Sequence, residues 1–123
     1  MILKRSSSFA AASLFVLACS ACAQTAMVKN SDGNLVDPGG KTLYTFDKDT
    51  RDSGKSACNG PCATLWPPVT ATSAAPPYTL ITRDDGTKQL AYKGMPLYLY
   101  SKDKAPGERS GDNFRDIWHV VKE

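Results

Sequence analysis

Apolar and polar residues alternate in short runs along this chain, and the same order of runs occurs twice. Apolar stretches on either side of Asp32-Gly33 predict a β-hairpin over residues 27–36, because Asp-Gly favours a tight turn. A second hairpin is predicted over residues 78–93, around another Asp-Gly turn. A glycine and a further strand follow each hairpin, beginning at Gly40 in the first copy and at Gly94 in the second.

The strand after each hairpin is the most similar part of the two copies. Residues 40–49 and 94–103 are identical at five of ten positions and lie 54 residues apart. Trp66 recurs in the same way as Trp118, 52 residues later. Self-similarity of this kind indicates a duplicated unit whose copies bury their apolar faces against each other.

No segment shows the apolar period of a helix, so the pattern predicts an all-β fold. We expect a single domain over residues 24–123, made of two tandem meander-like repeats at about 24–72 and 78–123. The repeats are expected to pack as a small antiparallel sandwich or barrel. The second repeated strand is apolar on both faces and is predicted to be the more deeply covered. Six aromatic residues should share the core: Tyr44, Phe46, Trp66, Tyr98, Tyr100 and Trp118.

Residues 1–23 have the composition of an export signal. Lys4 and Arg5 precede an apolar run of ten residues at 9–18, and small residues follow up to Ala23. This run is shorter than the roughly 20 residues of a spanning helix. The sequence therefore predicts a signal peptide and an exported protein of the periplasm or cell envelope, without a transmembrane helix.

Cys19 gives the export signal a second interpretation. Residues 16–19 look like the cleavage box of bacterial lipoproteins, in which the cysteine becomes the lipidated first residue. Leu17 is unusual in that box, and lipidation at Cys19 would leave Cys22 without a partner. Simple secretion and lipid anchoring at Cys19 both remain open at this point.

The net charge of the chain bears on whether nucleic acid is a partner. The whole chain has 15 Lys and Arg against 12 Asp and Glu, a formal net charge of +3. Removal of the signal takes away Lys4 and Arg5, which leaves +1. Without a polybasic segment, nothing in the charge distribution favours nucleic acid as a partner.

Cys58 and Cys62 are the cysteines outside the export segment, and three kinds of chemistry suit them. An even pair in an exported protein favours a structural disulfide. Thiol redox enzymes use Cys-x-x-Cys at a helix N-terminus, whereas this spacing is one residue longer and no helix is predicted after it. Haem attachment is disfavoured, because Ala63 stands where the axial histidine would follow.

Copper(I) is the third possibility for the cysteine pair. Soft thiolates suit this ion, and the single histidine of the chain supplies a candidate set of Cys58, Cys62 and His119. Met27 and Met95 could add thioether ligands. A lone histidine in an apolar strand is more often a packed or half-exposed residue than a ligand.

Asp49 and Asp103 end the two repeated strands, which favours a structural role in the turns that follow. A carboxylate in this position commonly accepts hydrogen bonds from backbone amides of the turn. The alternative is a ligand or cation site built from both carboxylates. No catalytic carboxylate pair, phosphate-binding loop or Ser-His-Asp order can be recognised, so we expect no enzymatic activity.

Both repeated strands fit the motif Tyr-x-aromatic-x-x-Asp, and residues 56–68 combine Cys-x-x-x-Cys with Trp-Pro-Pro. With these features the chain resembles the bacterial secreted-repeat lipoproteins, over nearly all of its length after the signal. The resemblance implies an exported envelope protein, often lipid-anchored, whose biochemical role is not established. The motif residues are Tyr44, Phe46 and Asp49 in the first copy and Tyr98, Tyr100 and Asp103 in the second.

Two classes of function remain open from the sequence. The first is a non-catalytic module that binds an envelope partner or a small ligand and needs no cofactor. The second is a redox or copper(I)-handling protein that uses Cys58, Cys62 and His119.

Overall fold

The computed structural model describes residues 28–123, so the predicted signal peptide, Cys19 and Met27 lie outside the described residues. No helix within 28–123 is long and apolar enough to cross a membrane. The elements in chain order are β1 (Lys29–Ser31), β2 (Asn34–Val36), β3 (Tyr44–Phe46), α1 (Pro61–Leu65), β4 (Tyr78–Thr82), β5 (Lys88–Tyr92), β6 (Met95–Pro96), the 3-10 turn Phe114–Asp116 and β7 (Trp118–Val120).

The strands pair antiparallel in three small sheets, which confirms the predicted all-β class with two repeats. β1 pairs with β2, β3 pairs with β7, and β4, β5 and β6 form the third sheet in that order. Single bridges join the sheets, among them Tyr44 with Tyr98. Over residues 28–123 the strands do not close into a barrel, so the sandwich alternative describes this fold.

Both predicted hairpins are present. β1 turns into β2 at Asp32 and Gly33, whose φ angles are 54° and 83°. A type I′ turn needs such positive values at both central residues, and Asp-Gly adopts them at low cost. β4 and β5 pair over five residues, from Tyr78 opposite Tyr92 to Thr82 opposite Lys88.

The first repeat completes its core with a segment that belongs to the second. Leu35, Leu43 and Val121 form a closed ring of three backbone hydrogen bonds. The amide of Leu35 donates to the carbonyl of Val121 at 2.9 Å, Val121 donates to Leu43 at 3.1 Å, and Leu43 donates to Leu35 at 3.1 Å.

The second repeat contains an equivalent ring, made by Leu90, Val69 and Leu97. Leu90 donates to Val69 at 2.8 Å, Val69 to Leu97 at 3.0 Å, and Leu97 to Leu90 at 2.9 Å. Val69 ends the first repeat, yet it closes the ring of the second. The two repeats therefore exchange their last segments.

Two buried clusters fill the interior. The aliphatic core contains the six ring residues and Tyr92. The aromatic core contains Cys58 and all six of the aromatic residues expected from the sequence. At its centre the indole of Trp66 stacks on that of Trp118, with centroids 3.8 Å apart and 2° between the planes. Stacked and edge-on pairs of this kind add to the stability gained from burial alone.

The expectation that the second repeated strand is the more deeply covered was wrong. Leu43 and Leu97 are both fully buried, and so are Tyr44 and Tyr98. The two strands lie side by side and bond to each other, so they occupy equivalent places in the fold. The second repeated strand is apolar on both faces, but this pattern did not indicate that it is more deeply buried than the first.

The expectation that no helix follows the first cysteine was also wrong. α1 spans Pro61–Leu65 and includes Cys62. Pro61 occupies its first position, where a missing N–H costs nothing and the fixed φ suits a helix. A helix of five residues is too short for its apolar period to be recognised in the sequence.

Candidate functional site

The motif tyrosines and aspartates bond across the two repeats. The hydroxyl of Tyr44 donates to Oδ2 of Asp103 at 2.6 Å, and that of Tyr98 donates to Oδ2 of Asp49 at 2.6 Å. Both tyrosines are fully buried, and Asp49 and Asp103 are only 6% and 2% exposed. The motif therefore forms two reciprocal bonds between repeats, and not one site within each repeat.

The same two tyrosines also pair through their backbones. The amide of Tyr44 donates to the carbonyl of Tyr98 at 2.8 Å, and the amide of Tyr98 donates back at 2.9 Å. This pair lies where the repeats meet. Each motif tyrosine thus holds the other repeat by its main chain and by its side chain.

The second oxygen of each motif carboxylate bonds to the loop that follows its own strand. Oδ1 of Asp49 accepts from the amide of Ala57 at 2.6 Å, and Oδ1 of Asp103 accepts from the amide of Ser110 at 2.9 Å. Each aspartate therefore connects its own loop to the tyrosine of the other repeat. These backbone bonds are the kind that a structural role in turns requires.

Burial shifts the pKa of Tyr44, Tyr98 and Asp49. It is the main cause that raises the pKa of the Tyr44 and Tyr98 hydroxyls, and the bonded carboxylates raise it further. Burial also raises the pKa of Asp49, while the bonds from Tyr98 and the Ala57 amide oppose that shift. The tyrosines stay protonated at neutral pH, so they act as hydrogen-bond donors there.

Arg83 extends one of these bonds into a larger buried network. Arg83 is only 5% exposed. Its Nη1 donates to Oγ of Ser56 at 3.0 Å and to Oε1 of Gln89 at 2.7 Å. Nη2 donates to the carbonyl of Cys58 at 2.5 Å. Buried charges are tolerated only when such partners surround them.

Ser56 connects this cation to the motif. Its Oγ lies 2.6 Å from the hydroxyl of Tyr98, which in turn donates to Asp49. A continuous chain of bonds therefore joins the Arg83 guanidinium to the Asp49 carboxylate through two hydroxyls. Sequence reasoning missed Arg83, because a basic residue just before Asp84 and Asp85 in a turn is usually exposed.

Cys58 and Cys62 form a disulfide, with 2.08 Å between the sulfur atoms and 5.2 Å between the Cα atoms. Cys58 is fully buried in the aromatic core, and its carbonyl accepts the bond from Arg83. The bridge thus fixes the loop that supplies Ser56 and Ala57 to the motif residues.

His119 lies on β7 and bonds to residues other than the cysteines. Its Nε2 is 2.9 Å from Oδ2 of Asp47, and its Nδ1 is 3.1 Å from Oδ1 of Asn113. Its side chain is 35% exposed. In the described part of the chain, no group of three or more His, Cys, Asp or Glu side chains could hold a metal ion, so the structure does not bring Cys58, Cys62 and His119 together.

A surface groove of about 280 Å³ opens where β3, β7 and the turn between β5 and β6 meet. We call it the basic groove, because Arg51, Lys93 and Lys122 line it together with a single carboxylate, Asp47. Its apolar wall includes Tyr92, Met95 and Val120. Residues of both repeats contribute to it.

A second groove, also about 280 Å³ in volume, lies beside Asp103. Its charged residues are Asp37, Lys41 and Asp103, so acidic groups outnumber basic ones there. Nζ of Lys41 donates to the carbonyl of Asp103 at 3.1 Å, which holds this cation against the protein. The two grooves therefore differ in charge although they have the same size.

Two copies of one strand motif, bonded reciprocally in an antiparallel fold, define a class of duplicated all-β repeat proteins. A lipoprotein family model described as a secreted repeat of unknown function matches residues 26–70 and again residues 79–122, once for each repeat. The matches cover more than half of the chain, so the protein belongs to this secreted-repeat family, as its motifs predict. The description also supports an exported protein. Neither the curated proteins nor the solved structures include a match to this chain.

Proposed function

We propose that this protein is a non-catalytic binding module of the cell envelope. The observation that carries the proposal is the reciprocal bonding of Tyr44 with Asp103 and of Tyr98 with Asp49. The motif residues thus use their side chains to hold the two repeats together, and the domain serves as a rigid scaffold. Its grooves then present side chains to a ligand or an envelope partner.

Within residues 28–123, the cysteines and the histidine have internal partners, which supports a scaffold without a cofactor. Cys58 and Cys62 are joined to each other, and both ring nitrogens of His119 face side-chain oxygens. Every side-chain nitrogen or oxygen atom within residues 28–123 that is itself inaccessible to solvent has a hydrogen-bond partner. Fully satisfied polar networks stiffen a small domain and specify a single structure.

We also propose that the protein works in the periplasm, either free or anchored by a lipid on Cys19. The description of its family as secreted supports export. From Cys19 to the start of β1 at Lys29 the chain has ten residues, which span at most about 35 Å. A lipid on Cys19 would therefore keep the domain close to the membrane surface.

Thermal unfolding with envelope fractions tests this proposal. Residues 24–123 would be incubated with phospholipid, peptidoglycan fragments or soluble periplasmic extract. A ligand at a hundred times its Kd adds about 2.7 kcal/mol to the free energy of unfolding. For a domain of this size each kcal/mol raises Tm by about 4–8 °C.

Mass spectrometry of each fraction before and after incubation tests the non-catalytic part. We expect at least one fraction to raise Tm and to be recovered chemically unchanged. A fraction whose components are converted by the protein would contradict the non-catalytic proposal. A Tm that no fraction raises would contradict the binding proposal.

A further inference from the structure

The basic groove concentrates positive charge on a protein that is otherwise almost neutral. Arg51, Lys93 and Lys122 line it against the single carboxylate of Asp47, an excess of two positive charges. Oδ2 of Asp47 is already bonded to Nε2 of His119 at 2.9 Å. The carboxylate in the lining thus has a partner of its own and is not paired with these cations.

Two contacts hold the loop that carries Arg51 against the main chain of Lys93 and Gly94. Nη1 of Arg51 donates to the carbonyl of Lys93, and the amide of Asp52 donates to the carbonyl of Gly94 at 2.9 Å. The φ of +86° at position 94 favours glycine, and the Asp52 carboxylate lies against this glycine. Basic residues of both repeats therefore line one groove, where a bound anion would offset the repulsion between their charges.

The neighbouring surface is apolar. Tyr92, Met95 and Val120 form a wall of the groove, and Nζ of Lys93 lies 5.2 Å from the centre of the Tyr92 ring. A ligand that combines a negative group with an apolar body would match both parts. The volume of about 280 Å³ suits a small molecule or the head group of a larger one.

We propose that the basic groove binds a phosphate monoester carried on an apolar body. A guanidinium pairs with phosphate through parallel hydrogen bonds, and a lysine adds a point charge. A phosphate monoester carries about −1.5 to −2 charges at neutral pH, which matches the excess in the groove better than a carboxylate does. The inference rests on the proposed binding function and adds the chemical class of the ligand.

Titration of residues 24–123 with phenyl phosphate, followed by amide chemical shifts, tests the proposal. We expect the largest shifts at groove residues such as Thr45, Met95 and Val120. Loss of one charge-assisted bond corresponds to about a tenfold loss of affinity, so Arg51→Gln and Lys93→Gln should each weaken binding about tenfold. Lys93→Gln keeps the bond from Arg51, because the acceptor is a main-chain carbonyl.

Lys102→Gln is the matched control, because it removes the same charge from an exposed lysine outside the groove. Its affinity should equal that of the wild-type protein, and the unfolding temperature of all three variants should show that they fold. A Lys102→Gln variant that weakens binding as much as the groove variants would overturn the proposal. Absence of shifts in the groove, or benzoate binding as tightly as phenyl phosphate, would also overturn it.

Sedimentation with phosphatidylcholine vesicles, with and without phosphatidic acid, distinguishes two sources of the phosphate. Binding to the phosphatidic acid vesicles that Arg51→Gln abolishes would assign the groove to a lipid head group. Binding of phenyl phosphate without vesicle binding would assign it to a soluble ester. If an envelope fraction stabilises the wild-type and Arg51→Gln proteins equally, the groove proposal fails and the general binding function stands.

Discussion

The hydroxyl of Tyr98 lies 2.6 Å from Oδ2 of Asp49, a residue of the other repeat that precedes it by 49 positions. The equivalent bond from Tyr44 to Asp103 has the same length and runs in the opposite direction along the chain. Oδ2 of each carboxylate has its tyrosine donor only when the other repeat is folded against it. Because an unpaired buried carboxylate is costly, this arrangement couples the folding of the two repeats.

Tyr98→Phe should destabilise the protein by about 1–3 kcal/mol, because it leaves the Asp49 carboxylate buried without its hydroxyl donor. Tyr100→Phe is the matched control, since Tyr100 is also in the aromatic core and none of the hydrogen bonds within residues 28–123 involves its hydroxyl. Urea unfolding measures both. Equal losses in the two variants would show that the bond to Asp49 contributes nothing.

Substitution of Asp49 separates its structural role from a ligand-binding role. Asp49→Ala should cost about 1–3 kcal/mol, because the Ala57 amide and the Tyr98 hydroxyl both lose their acceptor. Asp49→Asn keeps one oxygen and should lose less. Asp103→Ala and Asp103→Asn should behave in the same way. Asparagine variants that melt at or above the wild-type temperature, in metal-free protein, would instead favour a site at which two carboxylates repel each other.

Stability should depend on pH through Asp49. Burial raises the pKa of this carboxyl above its ordinary value of 3.8, so the folded protein holds the proton more tightly than the unfolded chain does. The resulting stabilisation is complete below 3.8 and is lost as the pH rises through the folded-state pKa. As the pH rises from 3.8 through the folded-state pKa of Asp49, the free energy of unfolding of the wild-type protein, relative to that of Asp49→Asn, should therefore fall. Urea unfolding at a series of pH values measures it, and a difference that grows with pH would refute the expectation.

Residues 24–77 alone should not fold. This fragment lacks Val121, which closes the ring of Leu35 and Leu43, and its own Val69 has no ring to complete. We expect no cooperative thermal transition by circular dichroism. Addition of residues 78–123 should restore one, because the second fragment supplies what the first lacks. A cooperative transition of the first fragment by itself would contradict the inference that each repeat needs the closing segment of the other.

The cysteine pair should be oxidised in the exported protein. Intact-mass measurement after alkylation should show no free thiol at Cys58 or Cys62. Reduction should cost about 2 kcal/mol, the chain-entropy value for a loop of about five residues. Two alkylated cysteines in freshly prepared periplasmic protein would refute the disulfide and favour the copper(I) hypothesis.

The sequence predicted those features that depend on neighbouring residues. Asp32 and Gly33 determine their turn locally, and alternation along a strand was enough to place Tyr44 and Tyr98 in the core. The sequence could not show which aspartate each tyrosine contacts, because both copies carry the same motif. The partners of Arg83 were equally hidden, since Ser56 and Gln89 approach it only in the folded chain.

The exchange of Val69 and Val121 has a consequence for the origin of this protein. A chain with a single repeat would contain every part of the ring, but its closing valine would reach only the ring of a second molecule. Two such chains would then assemble as a symmetric dimer through exchanged segments. Duplication and fusion of the gene would convert this concentration-dependent association into an intramolecular one, at the effective concentration set by a short connector. The present chain thus has the geometry expected of a fused ancestral homodimer.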